Sequence, residues 1–509
     1  MTAVLDLFDI QGEVTRAYAR FGFFYSRYLL LQIKDGARGR DFICAMAAQV
    51  TTAATWDGGP QSAPRPDSTL NISFTYAGLK ALGIPRASLA GFPADFVMGM
   101  RARREILGDD GPSHPDHWDP VWKQPVHVLV SINALSTEAR EQRYQAVLGM
   151  LANSEDGVVL LEGHRGPGGA LLPYQDGHVV FENGQPTSKE HFGYTDGIGE
   201  PIFEGLPDMA ERVWGRGKQV YDSDGNVNWL PLETGEFLLG HYDEAHEYPP
   251  APMPNLLSRN GTYTVYRKLH ENVGSFNKYL EEQGAKYPGG KELLAAKFVG
   301  RWRDNGAPLT DAPDAAAKQA WDQKYAAASP QEQDRMLAGV VFDDDQSGAK
   351  CPFSAHIRRI NPRAALEFGT KNAFDTPGAL ANRRRILRRG LPYGESKPGQ
   401  FSDDGEHGIV IMMLGASIER QFEFVQQQWI NYGNDFRAGN DKEILLGNHG
   451  GPHGACPSRA VLPVDPNSQD APFFLCNIPR LVTTRGGDYF FTPSMTALRM
   501  IAEGTVDPT

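Results

Sequence analysis

The stretch His191-Phe192-Gly193-Tyr194-Thr195-Asp196-Gly197-Ile198-Gly199-Glu200-Pro201 is the segment around which the rest of this 509-residue chain is organised. It carries one aspartate, Asp196, between glycines on a predicted turn that ends in a proline. Glycine adopts backbone conformations that other residues avoid, so the backbone of such a turn decides where its acid points. Most Asp-Gly pairs only turn the chain, so a functional interpretation needs accompanying motifs.

Two further motifs follow this turn along the chain. The first places a histidine before arginines, in Cys351-Pro352-Phe353-Ser354-Ala355-His356-Ile357-Arg358-Arg359-Ile360-Asn361-Pro362-Arg363. The second places arginines before a predicted loop, in Ile386-Leu387-Arg388-Arg389-Gly390-Leu391-Pro392-Tyr393-Gly394. Together and in this order, the three motifs resemble the dye-decolorizing peroxidases, haem enzymes that carry a Gly-x-x-Asp-Gly signature. The resemblance covers most of the chain, from Asp9-Ile10-Gln11-Gly12 to Asp488-Tyr489-Phe490-Phe491.

The hydrophobic pattern predicts strand-helix-strand units in both halves of the chain. Alternating or continuous apolar runs predict strands over 25–33, 124–134, 158–162, 261–270 and 408–415. Amphipathic patterns predict helices over 39–50, 136–153 and 417–429, the second of them capped by Ser136. The length alone predicts two or three domain-sized units.

The resemblance implies a specific architecture for these units. It is an α+β fold of duplicated ferredoxin-like domains, with antiparallel sheets and surrounding helices. We expect an N-terminal half over residues 1–205, which carries the Gly-x-x-Asp-Gly motif. A C-terminal haem-binding half is expected over residues 206–509, with a helical insertion near residues 307–336.

Composition excludes several classes of partner. The net charge of −12 and the pI near 5.6 argue against nucleic acid and against an anionic membrane surface, since both require a basic face. Cys44, Cys351, Cys456 and Cys476 show no C-x-x-C spacing, so neither a zinc site nor a disulfide framework is indicated. The sequence shows no signal peptide and no apolar run of about 18 residues, which predicts a cytoplasmic protein without a membrane partner.

His356 is the predicted proximal ligand of the haem iron, because its setting resembles the ligand segment of the family. A histidine ligand usually donates its second ring N–H to an acceptor that fixes its tautomer. The family resemblance favours Glu443 as that acceptor, with Asp441 as the alternative. Arg358 is expected to pair with a haem propionate, since a guanidinium fits a carboxylate.

Asp196 and Arg388 are the predicted distal residues, on the opposite face of the haem. Peroxide cleavage needs a base that moves a proton from the near oxygen to the leaving oxygen, and an aspartate serves only while ionised. A guanidinium supports the charge that develops on the oxidant. Arg389 is the alternative to Arg388. An acid in this role predicts activity favoured at mildly acidic pH.

These residues predict a peroxidase that contains haem b, reduces hydrogen peroxide and oxidises small phenolic or dye-like aromatic donors. A haem-binding or haem-handling protein with incidental peroxidase activity is the alternative, and a fold that binds no haem is a third. The strand residues Met412, Met413 and Leu414 either wall the distal pocket or pack in the core. Trp302, Tyr393 and Trp429 are candidates for electron transfer by residue type only. The oligomeric state is not predicted.

Overall fold

Antiparallel strands from both ends of the chain meet in one sheet. The computed structural model describes residues 4–367, 378–397, 399–450, 458–464 and 471–505. Within these residues the sheet has nine strands. They are β1 (Tyr25–Ile33), β2 (Ser68–Phe74), β3 (Val128–Ala134), β4 (Val158–Leu160), β5 (Gln175–His178), β6 (Thr262–Glu271), β7 (Leu387–Tyr393), β8 (Gly408–Gly415) and β9 (Val482–Thr492).

The strand order repeats between the two halves of the sheet. The order is β7-β8-β6-β9-β2-β3-β1-β4, with β5 also paired to β1. In each half the first strand of the chain lies between the third and the fourth, and the second lies outside the third. This is the ferredoxin-like order written twice, which confirms the predicted duplicated α+β fold. The boundary predicted near residue 205 stays a prediction.

The two halves join edge to edge and the sheet curls towards its own other end. The pair Phe491↔Phe74 connects β9 to β2. At the far side, Gly177 of β5 approaches β7 so closely that a Cβ there would lie 3.1 Å from the carbonyl oxygen of Pro392. A Cβ at position 177 would also lie 2.6 Å from Ser26 Oγ of β1, so the packing of neighbouring strands favours glycine there.

Helices cover the sheet, and side-chain caps set several of their first residues. Eight of them are α1 (Gly36–Ala47), α2 (Thr137–Ala152), α3 (Val273–Gly284), α4 (Gly290–Val299), α5 (Ala315–Ala327), α6 (Pro330–Ala338), α7 (His356–Ile360) and α8 (Met495–Glu503). Ser136 caps α2 as predicted, since its side chain accepts from the Ala139 amide at 3.2 Å. Helix α1 begins three residues earlier than predicted because Asp35 accepts from the Arg38 amide.

Short elements connect these strands and helices. Two-stranded ribbons pair His164–Arg165 with Leu171–Leu172, Phe181–Glu182 with Gln185–Pro186, Lys218–Tyr221 with Val227–Leu230, and Arg459–Leu462 with Phe473–Cys476. Short helices lie at Gly12–Thr15, Tyr76–Ala81, Arg86–Leu89, Ala94–Met98, Arg104–Leu107, Met209–Arg212, Asn255–Ser258 and Ala379–Asn382. The insertion predicted near residues 307–336 contains α5 and α6.

Two predicted elements have a different form in the structure. The segment after Arg388 was predicted to be a loop, but it continues as strand β7 through Pro392. Proline is tolerated there because β7 ends the strand order and pairs only with β8 in the sheet. The helix predicted over 417–429 is a wider helix over Ile418–Glu423 and Val425–Ile430, in which the Asn431 amide donates to Gln426, five residues back.

Other predictions from composition concern the cysteines and the membrane. Cys44, Cys351 and Cys476 are free thiols, and Cys456 lies outside the described residues. No group of three or more metal-binding side chains occurs in the described ranges. The helices within those ranges are all too short or too polar to cross a bilayer.

Candidate functional site

A cavity opens where the second half of the sheet meets the loop that carries Asp196. Its volume is about 290 Å³, close to the lower end of the range of about 300–1,000 Å³ that is usual for small-molecule sites. Asp196, His356 and Arg388 all line it, from the loop, from α7 and from β7 respectively. The fold therefore gathers residues that lie up to 192 positions apart in the chain.

The distal acid and the arginine form a close ion pair. Arg388 Nη1 lies 2.6 Å from Asp196 Oδ1, and Arg388 Nη2 donates to the Ile198 carbonyl at 3.2 Å. The Gly197 amide donates to Asp196 Oδ1 at 2.6 Å. Gly197 has a φ of +80°, which a side chain at this position would strain. The turn glycine thus lets the backbone hold the acid towards the guanidinium.

The electrostatics of this pair keep Asp196 ionised. Burial raises the pKa of the Asp196 carboxyl, but the charge of Arg388 and the Gly197 amide outweigh it, so the pKa lies below its ordinary value. The pKa of Arg388 is raised in turn by the charge of Asp196. The Asp196 side chain is 40% exposed, and the cavities that it lines account for this accessible surface. An ionised acid is therefore reachable from the cavity.

Arg389, the predicted alternative to Arg388, points to the opposite face of β7, because successive side chains of a strand alternate between its two faces. Its Nε and Nη2 donate to the carbonyl oxygens of Glu13 and Val14, and its Nη1 pairs with Glu200. Only 3% of its side chain is exposed. It lines a second, adjoining cavity rather than the one that holds His356.

The histidine stands beside a fully buried acid. His356 Nδ1 lies 3.5 Å from Glu443 Oε1, the outer limit of a hydrogen bond, and the Glu443 side chain has no exposed surface. The Leu445 amide donates to Glu443 Oε1 at 2.9 Å, and the Leu446 amide donates to Oε2. Burial raises the pKa of Glu443, but the His356 ring and these amides lower it below its ordinary value. Glu443 is thus an anion fixed behind His356.

Asp441, the alternative acid, faces elsewhere. Its Oδ1 accepts from Arg459 Nε at 2.8 Å, and half of the Arg459 side chain is exposed. Its backbone carbonyl accepts from Arg359 Nη2 at 2.8 Å. The geometry therefore brings Glu443, and not Asp441, to the histidine.

The contacts of Arg358 do not support the expectation that it pairs with a haem propionate. Arg358 is buried, its Nη1 lies 2.9 Å from Asp345 Oδ2, and its Nη2 donates to the Asp345 carbonyl at 2.8 Å. It does not line the cavity. The Arg358 guanidinium pairs with Asp345, so Arg358 stabilises the loop before α7.

Three buried arginines that the sequence prediction missed line the cavity instead: Arg301, Arg363 and Arg385. Burial lowers the pKa of Arg301 and Arg385 to about 10, and it lowers the pKa of Arg363 well below its ordinary value. Within the described ranges, none of the three lies within ion-pair distance of a carboxylate. Arg363 Nη1 is buried without a hydrogen-bond partner. These cations suit a ligand with carboxylate groups, and Arg363 ends the Asn361-Pro362-Arg363 motif that could have pointed to it.

Apolar side chains form the rest of the wall. Strand alternation directs Ile409, Ile411 and Met413 of β8 to this cavity, whereas Leu414 is fully buried in the core and Met412 lines the adjoining cavity. Other apolar residues at the wall are Val299, Val340, Phe342, Ile357, Ile360, Ile386, Phe422, Val425, Ile430, Leu445, Leu446 and Val482. An apolar slot with an imidazole and cations at its wall fits a flat, largely apolar macrocycle that carries carboxylates.

The electron-transfer candidates lie outside this wall. Tyr393 and Trp429 are buried, with 2% and 1% of their surface exposed, and Trp302 is partly buried. Trp429 Nε1 donates to Asp435 at 3.0 Å and Trp302 Nε1 donates to the Ala312 carbonyl at 2.8 Å. Neither the cavity nor the surface singles out one of them.

Comparisons with known proteins agree with this arrangement. The family model of the DyP dimeric alpha+beta barrel domain matches residues 9–167. Peroxidase 2 of Mycetinis scorodonius is 28% identical over 97% of this chain and 87% of that protein. A dye-decolorizing peroxidase of Mycena epipterygia is 28% identical over 86% of this chain and 77% of that protein.

A solved structure shares the whole fold. The structure of an ancestral D-type dye decolorizing peroxidase is 27% identical, covers 98% of this chain and 99% of that chain, and superposes with a TM-score of 0.71. The family model, the long alignments and the common fold confirm the resemblance that the three motifs predicted. The chain is similar to the dye-decolorizing peroxidases in fold and, over nearly its whole length, in sequence.

Proposed function

We propose that this protein is a haem-b peroxidase that reduces hydrogen peroxide and oxidises dye-like or phenolic donors. One observation carries the proposal: a histidine backed by a buried acid and an aspartate paired with an arginine line the same apolar cavity. Two relatives are named as peroxidases, one of them as dye-decolorizing. A cytoplasmic location remains a prediction from the sequence.

His356 would hold the iron through Nε2. Its Nδ1 faces Glu443, and no hydrogen bond to Nε2 is found within the described ranges. An anion behind the ring fixes the tautomer that keeps a proton on Nδ1 and makes Nε2 the better electron donor. Arg301, Arg363 and Arg385 would hold the carboxylate groups of the cofactor, because burial without ion pairs leaves their charges uncompensated.

Haem iron, when bound, supplies the electrons that cleave the O–O bond and takes two back from the donors, while two protons convert the peroxide oxygens to water. Asp196 accepts a proton from one peroxide oxygen and returns it to the other, which it can do because its pKa is lowered. Arg388 holds the negative charge that appears on the oxidant. Both groups lie in place before the reaction starts.

The test is an absorption spectrum and a turnover assay on the purified full-length chain. We expect stoichiometric haem with a histidine-ligated spectrum, and steady-state oxidation of a phenol and of an anthraquinone dye that depends on hydrogen peroxide. Haem binding without turnover would favour the alternative of a haem-handling protein. Failure to bind added haem would refute the proposal outright.

A further inference from the structure

Two more carboxyl groups line the cavity and take no part in the chemistry described above. Glu190 precedes the Asp196 turn, and Glu271 is the last residue of β6. Glu271 is buried, with 4% of its surface exposed, and Glu190 is partly accessible where it lines the two adjoining cavities. The two carboxyls lie within hydrogen-bond reach of each other, and such a pair requires an explanation because a buried charge is costly.

Both carboxyls grip the backbone of the loop that leads to Asp196. Glu190 accepts from the Phe192 amide at 2.7 Å and from the Tyr194 amide at 2.8 Å. Glu271 accepts from the His191 amide at 3.0 Å. Three amides within four residues are thus held by two acids, immediately before the residue that must face Arg388.

The surroundings supply no cation that would neutralise the two acids. Within the described ranges, no lysine or arginine lies within ion-pair distance of either of them. Arg303, which contacts this loop, donates to the Phe192 carbonyl and pairs with Glu292. Arg388 is occupied by Asp196, whose negative charge acts on both glutamates.

The histidines that face this region are neutral. Burial lowers the pKa of His191 to about 4 and that of His270 to about 3, and lowers that of His407 as well. His191 donates through Nε2 to the Tyr393 carbonyl and accepts at Nδ1 from Ser396 Oγ, both at 3.0 Å. Lys189, the other charged neighbour on the loop, pairs with exposed Glu182. Because no cation among the described neighbours offsets the repulsion between the two carboxylates, we expect one of them to keep a proton.

The titration of the two acids agrees with this geometry. Burial raises the pKa of Glu190 to about 7. Burial, and next the charge of Glu190, raise the pKa of Glu271. Two carboxyls that share a site titrate as a pair, and the first proton is retained into the neutral range.

We propose that Glu190 and Glu271 are positioning residues that hold one proton between them and thereby fix the 190–197 loop with Asp196 against Arg388. Loss of that proton places two like charges in contact, loosens the loop and lowers peroxidase activity. The inference rests on the proposed function and deepens it, because it assigns the alkaline limit of the same site to this pair. Asp196 sets the acid limit.

The decisive variant is Glu271→Gln. Its amide oxygen can still accept from His191, and its NH₂ group donates to Glu190 as the shared proton did. With haem bound, we expect wild-type kcat/KM for peroxide to fall by about tenfold per pH unit above the pKa of the pair. Glu271→Gln should keep its activity over that range. Glu406→Gln removes another partly buried acid of raised pKa and should follow the wild type.

Infrared spectroscopy gives a readout that needs no turnover. At pH 6 the wild type should show C=O bands of protonated carboxyls, among them Glu13, whose pKa burial raises to about 7. The component that appears in the difference spectrum of wild type minus Glu271→Gln should be absent from that of wild type minus Glu406→Gln. An unchanged band together with a wild-type alkaline decline in Glu271→Gln would overturn the inference. If the haem-loaded wild type turns over no peroxide, the proposed function fails, and the infrared band alone decides whether the pair shares a proton.

Discussion

Two acids of lowered pKa serve this cavity: Asp196 lines it, and Glu443 lies behind His356. Different groups lower the two pKa values. The charge of Arg388 lowers the pKa of Asp196, whose side chain remains 40% exposed. Glu443 is completely buried and is held by the His356 ring and two backbone amides. The difference separates two tasks: an acid that exchanges protons must be reachable, whereas an acid that orients a ligand must be fixed.

The largest expected effect comes from removing the ligand itself. His356→Ala should lose the histidine-ligated spectrum and abolish peroxide turnover, because the proposed roles of Asp196 and Glu443 both depend on a haem that His356 would hold. Haem affinity, measured by haem titration, should fall by more than the roughly 10–100-fold that is typical when only the partner behind a ligand is changed. His117→Ala, at an exposed position, is the control. Full haem content with an unchanged spectrum in His356→Ala would refute the assignment of His356 as the iron ligand.

The next largest effect tests the reachable acid. Asp196→Asn should lower kcat/KM for peroxide by about 10²–10⁴-fold, the usual contribution of a general base, and leave the haem spectrum intact. Stopped-flow spectroscopy of the reaction with peroxide measures the step directly. Asp222→Asn changes a turn aspartate of lowered pKa at the surface and should have no effect. Equal rates for Asp196→Asn and the wild type would refute the assignment of Asp196 as the general base.

A smaller effect distinguishes the fixed acid from its neighbour. Glu443→Gln should weaken haem binding or turnover by about 10–100-fold and shift the axial-ligand spectrum, because a neutral amide no longer polarises the His356 ring. Asp441→Asn is the matched control, since Asp441 binds Arg459 and not the histidine. The reverse ranking of the two variants would exchange the roles of these acids.

The smallest effect concerns pH. The lowered pKa of Asp196 keeps the base ionised down to acidic pH, and activity is lost as the pH falls through that pKa. Arg388→Lys keeps a positive charge but loses the close contact of the guanidinium, so the acid limit should move up by about one pH unit. Arg389→Lys should leave the limit where it is, because Arg389 binds Glu200. A pH profile of kcat/KM measures both.

The sequence predicted the repeated strands better than the connections between them. Strands 25–33 and 408–415 match β1 and β8 because their apolar runs are continuous and end at turn residues. Strand β7 escaped prediction because Gly390 and Pro392 are typical of loops, and only its position at the end of the sheet makes them acceptable. Local composition does not reveal that a strand lies at an edge.

For the site, motifs predicted which residues gather but not which partners they choose. Arg358 follows His356 by two positions, yet a buried loop acid, Asp345, binds it. Choosing Glu443 over Asp441 likewise required the fold, since the two acids are two residues apart and differ in the direction they face. Such choices depend on long-range packing, which no short motif encodes.

The place of β9 in the sheet has a consequence for how the protein is made. This strand follows the other eight strands of the sheet along the chain, and it lies between β6 and β2, so it joins the two halves. Until it arrives, β6 and β2 each present an open edge that favours aggregation. A nascent chain that stops before residue 482 therefore lacks the central strand of its sheet, however complete its cavity residues are.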